Sequence, residues 1–253
     1  MKRLFRVVCA VFAAAALSMG VTAAAVNDVV DMSNSTHGYV TVNYSSSARL
    51  KVGIQYNGGK TVFYDCPSGK DTSFSLDKGN GKYTVTLYRN VSGTFYQQVE
   101  SKSMNVTVKD SYAPYLVSTS EVQFSKGDTV SAKAAELCKN ARTDEAKVIA
   151  IYNYMASRYT YDNKLAKEIT SGKITKYIPD TAATLKGTTG ICYDFSSLFA
   201  AMCRSQGIPC ALTKGYAGSK LPRLEQGKPE RQVVSDRPDL RGYPQREERK
   251  NPA

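Results

Sequence analysis

An α+β fold, strands first and helices after, is what this 253-residue chain predicts. Three observations carry that expectation. From about His37 to Val108, apolar and polar residues alternate in short runs separated by turn residues. From Thr129 onward, apolar residues recur at helical spacing. A glycine turn then leads into a cysteine at the mouth of a further helix, Gly190-Ile191-Cys192-Tyr193-Asp194-Phe195-Ser196-Ser197-Leu198.

The chain opens with what reads as a secretory signal over residues 1–25. Lys2, Arg3 and Arg6 form a charged start, and Val7 to Leu17 is an apolar core too short to span a bilayer. Ala23 and Ala25 offer small residues for cleavage. Cys9 lies inside that core, badly placed for a lipid anchor. No later stretch is long and apolar enough to cross a membrane, so a secreted or extracellular product is expected, free or associated with the cell wall. The net charge of +12 does not point to nucleic acid. Three positive charges sit in the signal, many more in the last 34 residues, and the other lysines are scattered singly as on a solvated face.

Five cysteines follow the signal: Cys66, Cys138, Cys192, Cys203 and Cys210. An odd number in an exported chain leaves at least one free thiol. Their irregular spacing singles out no bridge. With no CxxC pair and no histidine cluster, neither a metal nor a cofactor is expected.

Residues 26–110 are expected to form the first domain. Its strands are read at Tyr39–Tyr44, Leu50–Tyr56, Thr61–Tyr64, Thr72–Leu76, Tyr83–Tyr88 and Ser103–Val108. Asn57-Gly58-Gly59, Gly79-Asn80-Gly81 and Ser92-Gly93 supply the turns. Strands of this number and spacing predict a small immunoglobulin-like β-sandwich. Its tyrosines read as sheet-face and core residues, and His37, at the start of the first strand, as a surface residue.

Asp110 to Tyr115 reads as a linker into a second domain, residues 111–219. Thr129 to Asn140 is a first helix. Thr143 caps a second, with Asp144 and Glu145 where the helix dipole favours acids and with Val148, Ile151, Tyr152 and Met155 as its buried stripe. Tyr159-Thr160-Tyr161-Asp162 closes it, Ser171-Gly172-Lys173 is a turn, and Ile178 to Gly190 is a loop. The Cys192 helix runs to about Gln206, with Leu198, Phe199 and Met202 facing the core, and Gly207-Ile208-Pro209 stops it. Cys210 to Thr213 reads as the start of a strand.

At a helix N-terminus, free N–H groups and the dipole favour a thiolate, the nucleophilic form of cysteine. Cys192 is therefore the candidate catalytic residue. Cys203 and Cys210 read as core. Asp194 reads as a first-turn residue stabilising the helix, and Asp162 and Asp180 as loop-ordering groups.

Thr143 to Gly218 resembles the core of the bacterial transglutaminase-like superfamily, which shares the papain-type cysteine arrangement. The matching pieces are Asp144-Glu145-Ala146-Lys147-Val148, Tyr159-Thr160-Tyr161-Asp162, Tyr177-Ile178-Pro179-Asp180, Gly190 to Phe195, Arg204 to Pro209, and Lys214-Gly215-Tyr216. The resemblance implies an α+β papain-type domain with Cys192 as nucleophile. It also implies a histidine on the next strand, in a His-Ala-Trp context, and an aspartate on the strand after. The motifs run out after Gly218, and the sole histidine of the sequence is His37.

From Lys220 to Ala253, five of the nine prolines and six arginines crowd together and periodicity is lost. A disordered basic tail is one reading. A slipped reading frame is the other. Lys220 to Leu224 written with the codons AAG, CTA, CCA, CGC and TTG, followed by GAA for Glu225, read one base later as Ser-Tyr-His-Ala-Trp. On either reading the second domain is incomplete.

The expected function is thus an exported cysteine acyl-transfer protein, a peptidase, amidase or transglutaminase, acting on protein or peptide substrates. It is expected to be inactive in this chain for want of the histidine and aspartate. The alternative is a non-catalytic extracellular binding protein that uses its β-domain.

Overall fold

The computed structural model describes residues 28–213. The expected signal over 1–25, the tail over 220–253 and the Lys214-Gly215-Tyr216 motif lie outside them. The described chain is mixed α and β, with its larger sheets antiparallel.

Seven strands make two sheets. β1 (Val30–Asp31), β2 (Tyr39–Val42) and β5 (Thr72–Ser75) form one, in the order β1-β2-β5. β3 (Leu50–Tyr56), β4 (Val62–Cys66), β6 (Gly81–Ser92) and β7 (Phe95–Val106) form the other, in the order β4-β3-β6-β7. Period-two alternation sets the register, since a slip of one residue would turn each apolar set outward. Val52 pairs with Leu87 and Ile54 with Val85, and all four enter one apolar core with Val40, Val42 and Phe74 of the first sheet.

Two details differ from expectation. β6 and β7 are each far longer than their alternating segments, with register shifts at Leu87/Tyr88 and Asn90/Ser92. From Tyr88 to Gln98 no residue of this hairpin is buried, so no alternation is imposed there. His37 does not open a strand but ends a 3-10 turn, Ser35–His37. The left-handed Gly38 (φ 80°) stops that turn ahead of β2, against Pro114.

The second core gathers α1 (Thr129–Cys138), α2 (Asp144–Arg158) and α5 (Cys192–Ser205), with α3 (Asn163–Thr170) and α4 (Thr181–Lys186) between. Thr143 caps α2 by accepting the Ala146 N–H at 3.2 Å. Ile151, Leu198, Phe199, Met202 and Cys203 are buried together, with Val148, Tyr152 and Met155 packed on them. α4 falls where a loop was expected, and α3 where no element was expected. Asp162 and Asp180 are their N-caps, accepting the Leu165 and Ala183 N–H groups at 2.8 and 2.9 Å. Cys210 to Thr213 forms no strand. The Cys210 N–H bonds the Tyr115 carbonyl, and among the described residues no ladder continues from it.

The linker is bolted to both cores. The Ser75 hydroxyl bonds the Pro114 carbonyl at 2.8 Å and the Tyr115 hydroxyl bonds that of Asp77 at 3.1 Å. From the other side, buried Arg204 donates to the carbonyls of Val117 and Cys210 at 2.6 and 2.9 Å. Among the described residues no helix is long and apolar enough to cross a membrane.

Candidate functional site

α5 starts at Cys192, so the sulfur belongs to the first turn, where backbone N–H groups lack helical partners. Ile191 ahead of it is extended (φ −106°, ψ 172°). Asp194, two residues on, folds back to accept the Ile191 N–H at 2.9 Å, which ties the turn. Its other oxygen accepts the Tyr177 hydroxyl at 2.8 Å. Asp194 is thus the structural residue expected. Burial holds its carboxyl above the usual range, against the pull of those two donors.

Gly190 is required by this arrangement. A Cβ there would sit 3.0 Å from Asp194 Oδ2 and 3.0 Å from a ring carbon of Phe195. The glycine of the motif is therefore a matter of space, not of a left-handed turn.

A short parallel bridge sets what faces the sulfur. β8 (Thr160–Tyr161) runs beside β9 (Thr189–Gly190), with Tyr161 opposite Gly190. The Thr160 N–H bonds the Thr188 carbonyl at 2.9 Å and the Asp162 N–H bonds that of Gly190 at 2.7 Å. This pairing brings the Tyr161 side chain to hydrogen-bond the Cys192 sulfur. Behind it, Tyr159 packs on Phe195 with ring centroids 5.3 Å apart, and burial pushes its phenol up to about 12. Arg158 reaches the terminal carbonyls of α4 at Leu185, Lys186 and Gly187, at 3.2–3.3 Å. The loop bearing Cys192 is held from both ends.

The electrostatics of the thiol run against the simple helix-terminus argument. Burial raises its pKa above the ordinary value, and the Asp194 charge adds to the rise. Tyr161 and the N–H groups of Tyr193 and Cys192 itself pull the other way. Burial wins, so the thiol form is favoured. The expectation that dipoles alone poise a thiolate is corrected on that point. Cys192 is nevertheless partly exposed, whereas Cys66, Cys138, Cys203 and Cys210 are buried. Burial pushes the Cys66 thiol up to about 11. Among the described residues no group of histidines, cysteines and carboxylates could hold a metal ion.

With that geometry in place, one comparison supports the resemblance: the model of the transglutaminase-like superfamily matches residues 131–235. Over those residues the chain is similar to the transglutaminase-like superfamily. No curated protein and no solved structure matches the chain. The transglutaminase-like match begins within α1, ahead of the Thr143 motif, and ends beyond Gly218, past the described residues. Within this domain, sequence reasoning missed the roles of Tyr161 and Tyr177. Both stood in quoted motifs, but only the β8–β9 bridge and the return of Asp194 give them partners. Glu121, which accepts the Tyr193 hydroxyl at 2.6 Å, had no sequence signal.

Proposed function

We propose that the chain is an exported cysteine acyl-transfer protein of the transglutaminase-like kind, with Cys192 as the acyl-accepting atom. The observation that carries this reading is a partly exposed sulfur in the first turn of α5, supported by Tyr161 and two backbone N–H groups. In the reaction, the thiolate attacks an amide carbonyl carbon, a C–S bond forms and the C–N bond breaks. The leaving amine takes a proton. Water or an amine then opens the thioester, giving hydrolysis or transamidation. The helix-start N–H groups are suited to hold the oxyanion. Seven strands in two antiparallel sheets support an immunoglobulin-like reading of the β-domain.

The chain is proposed to be without turnover. Its one histidine is His37 in the β-domain, and an amide leaving group needs an acid–base partner at the sulfur. The raised thiol pKa is consistent with the second reading, a non-catalytic binding protein. The deciding experiment uses an activated ester that needs no proton donor. p-Nitrophenyl acetate at a pH of about 9.5, above the ordinary thiol range, should acetylate Cys192, seen by peptide mass mapping and lost in Cys192→Ser. An unmodified Cys192 beside an acetylated free-cysteine control would leave the binding-protein reading standing.

A further inference from the structure

The loop over residues 171–180, between α3 and α4, carries neither helix nor strand. Its first part stays with α3, where the Ile174 N–H bonds the Glu168 carbonyl at 3.1 Å. At Thr175 it meets the β-domain, the carbonyl accepting Arg49 Nη2 at 2.8 Å. At Tyr177 it meets the Cys192 turn. The Tyr177 hydroxyl donates to Asp194 Oδ1 at 2.8 Å, and Asp194 Oδ2 accepts the Ile191 N–H at 2.9 Å. From Thr175 to Tyr177 is two residues of chain, a span of at most about 7 Å. Arg49 and Asp194 therefore grip the loop at neighbouring points with little slack between them.

Arg49 is a firm anchor for this. It stands just ahead of β3, and its carbonyl accepts the Asn90 N–H of β6 at 2.8 Å. Its guanidinium is forked onto Asp65 of β4, Nε and Nη2 at 2.8 and 3.0 Å. Two-point pairing of this kind fixes the guanidinium plane, which aims the remaining Nη2 proton at Thr175. β4 is the edge strand of its sheet. Phe63 and Asp65 on it share a cavity of about 220 Å³ with Thr175, Tyr177 and Tyr193, and Tyr193 directly follows Cys192. The β-domain thus reaches the start of α5 both across this cavity and through the loop.

We infer that Arg49 is a positioning residue for Cys192, acting through Thr175, Tyr177 and Asp194, and that the β-domain is a working wall of the cysteine site. Without Arg49, the single bond from Tyr177 to Asp194 has to offset the entropy of ordering the loop, and the Ile191–Cys192 turn loses its brace. Its bearing on acyl transfer rests on the proposed role of Cys192; the coupling itself does not.

The test combines hydrogen exchange at the Ile191 amide with the pH dependence of Cys192 alkylation by iodoacetamide, both on the full chain. Arg49→Met keeps the aliphatic stem and removes every donor. Ile191 should then exchange about tenfold faster, near the low end for a hydrogen bond from a charged group. Burial has the largest part in raising the thiol, with the Asp194 charge adding and Tyr161 and the N–H groups of Tyr193 and Cys192 opposing. A loosened turn relaxes all of these, so the alkylation midpoint should fall toward that of free cysteine. Tyr177→Phe should act alike, and combining it with Arg49→Met should add nothing, since both break one path. Arg49→Lys restores a cation and a donor and should return both readings toward their starting values. Ile54→Val, a small loss in the β-domain core away from the loop, should move neither. Unchanged Ile191 exchange or an unmoved midpoint in Arg49→Met, additive effects in the pair, or equal acceleration by Ile54→Val overturns the inference. Exchange at Ile191 involves no sulfur chemistry, so an unreactive Cys192 refutes the acyl-transfer reading and leaves the coupling standing.

Discussion

The Cys192 sulfur sits between two opposed influences, burial and the donors around it, and each can be weighed separately. Burial favours the neutral thiol, so alkylation by iodoacetamide at neutral pH should be slower than that of free cysteine. The rate should rise with pH and reach its midpoint above the ~8.5 of an unperturbed thiol. Tyr161→Phe removes a donor that favours the thiolate and should move that midpoint higher still. A midpoint at or below that of free cysteine would show that the N–H groups prevail. Two residues back, Gly190→Ala tests packing alone. The added methyl meets Asp194 and Phe195 at 3.0 Å, and overpacking of this sort costs about 1–3 kcal/mol in a chemical denaturation series. Ser197 goes the other way. Its hydroxyl is fully buried with no hydrogen-bond partner, so Ser197→Ala should leave the denaturation midpoint unchanged or raise it.

Short helices around the site depend on their caps, which is also where the sequence could be read only in part. Thr143, Asp144 and Glu145 before a long apolar stripe announce α2, and the structure has it from Asp144 to Arg158. Leu50 to Tyr56 is legible to the residue, because a strand that buries one face must alternate. α3 and α4 were not legible. α3 is eight residues with no buried residue and α4 spans only Thr181–Lys186, so each is too short for its apolar spacing to stand out. What starts them is a single carboxylate each, Asp162 and Asp180, and an isolated aspartate reads equally well as a turn residue. The placement of Cys192 at a helix start could be read from Gly190 and the apolar spacing of α5. The rise in its thiol pKa could not, since burial comes from distant elements. Asp162→Ala and Asp180→Ala should each cost about 1 kcal/mol. Asp162→Ala should also loosen the β8–β9 bridge, seen as faster exchange of the Thr160 and Asp162 amides.

On the scale of the whole chain, the two apolar cores share no residue, and what joins them is largely a seam of hydrogen bonds through the linker. Separate cores with a polar seam predict two cooperative units. Arg204 belongs to one of them. Its guanidinium is taken out of water, which lowers its pKa, and is satisfied by the carbonyls of Val117 and Cys210. Arg204→Ala leaves the buried Cys210 carbonyl and the part-buried Val117 carbonyl without this donor and removes the packed stem, a loss of about 2–4 kcal/mol. Leu87→Ala opens a cavity in the other core and should cost about 2–5 kcal/mol. In scanning calorimetry, Arg204→Ala should lower one transition and Leu87→Ala the other. One transition lowered equally by both substitutions would mean that the seam, despite its polar character, couples the cores into a single unit.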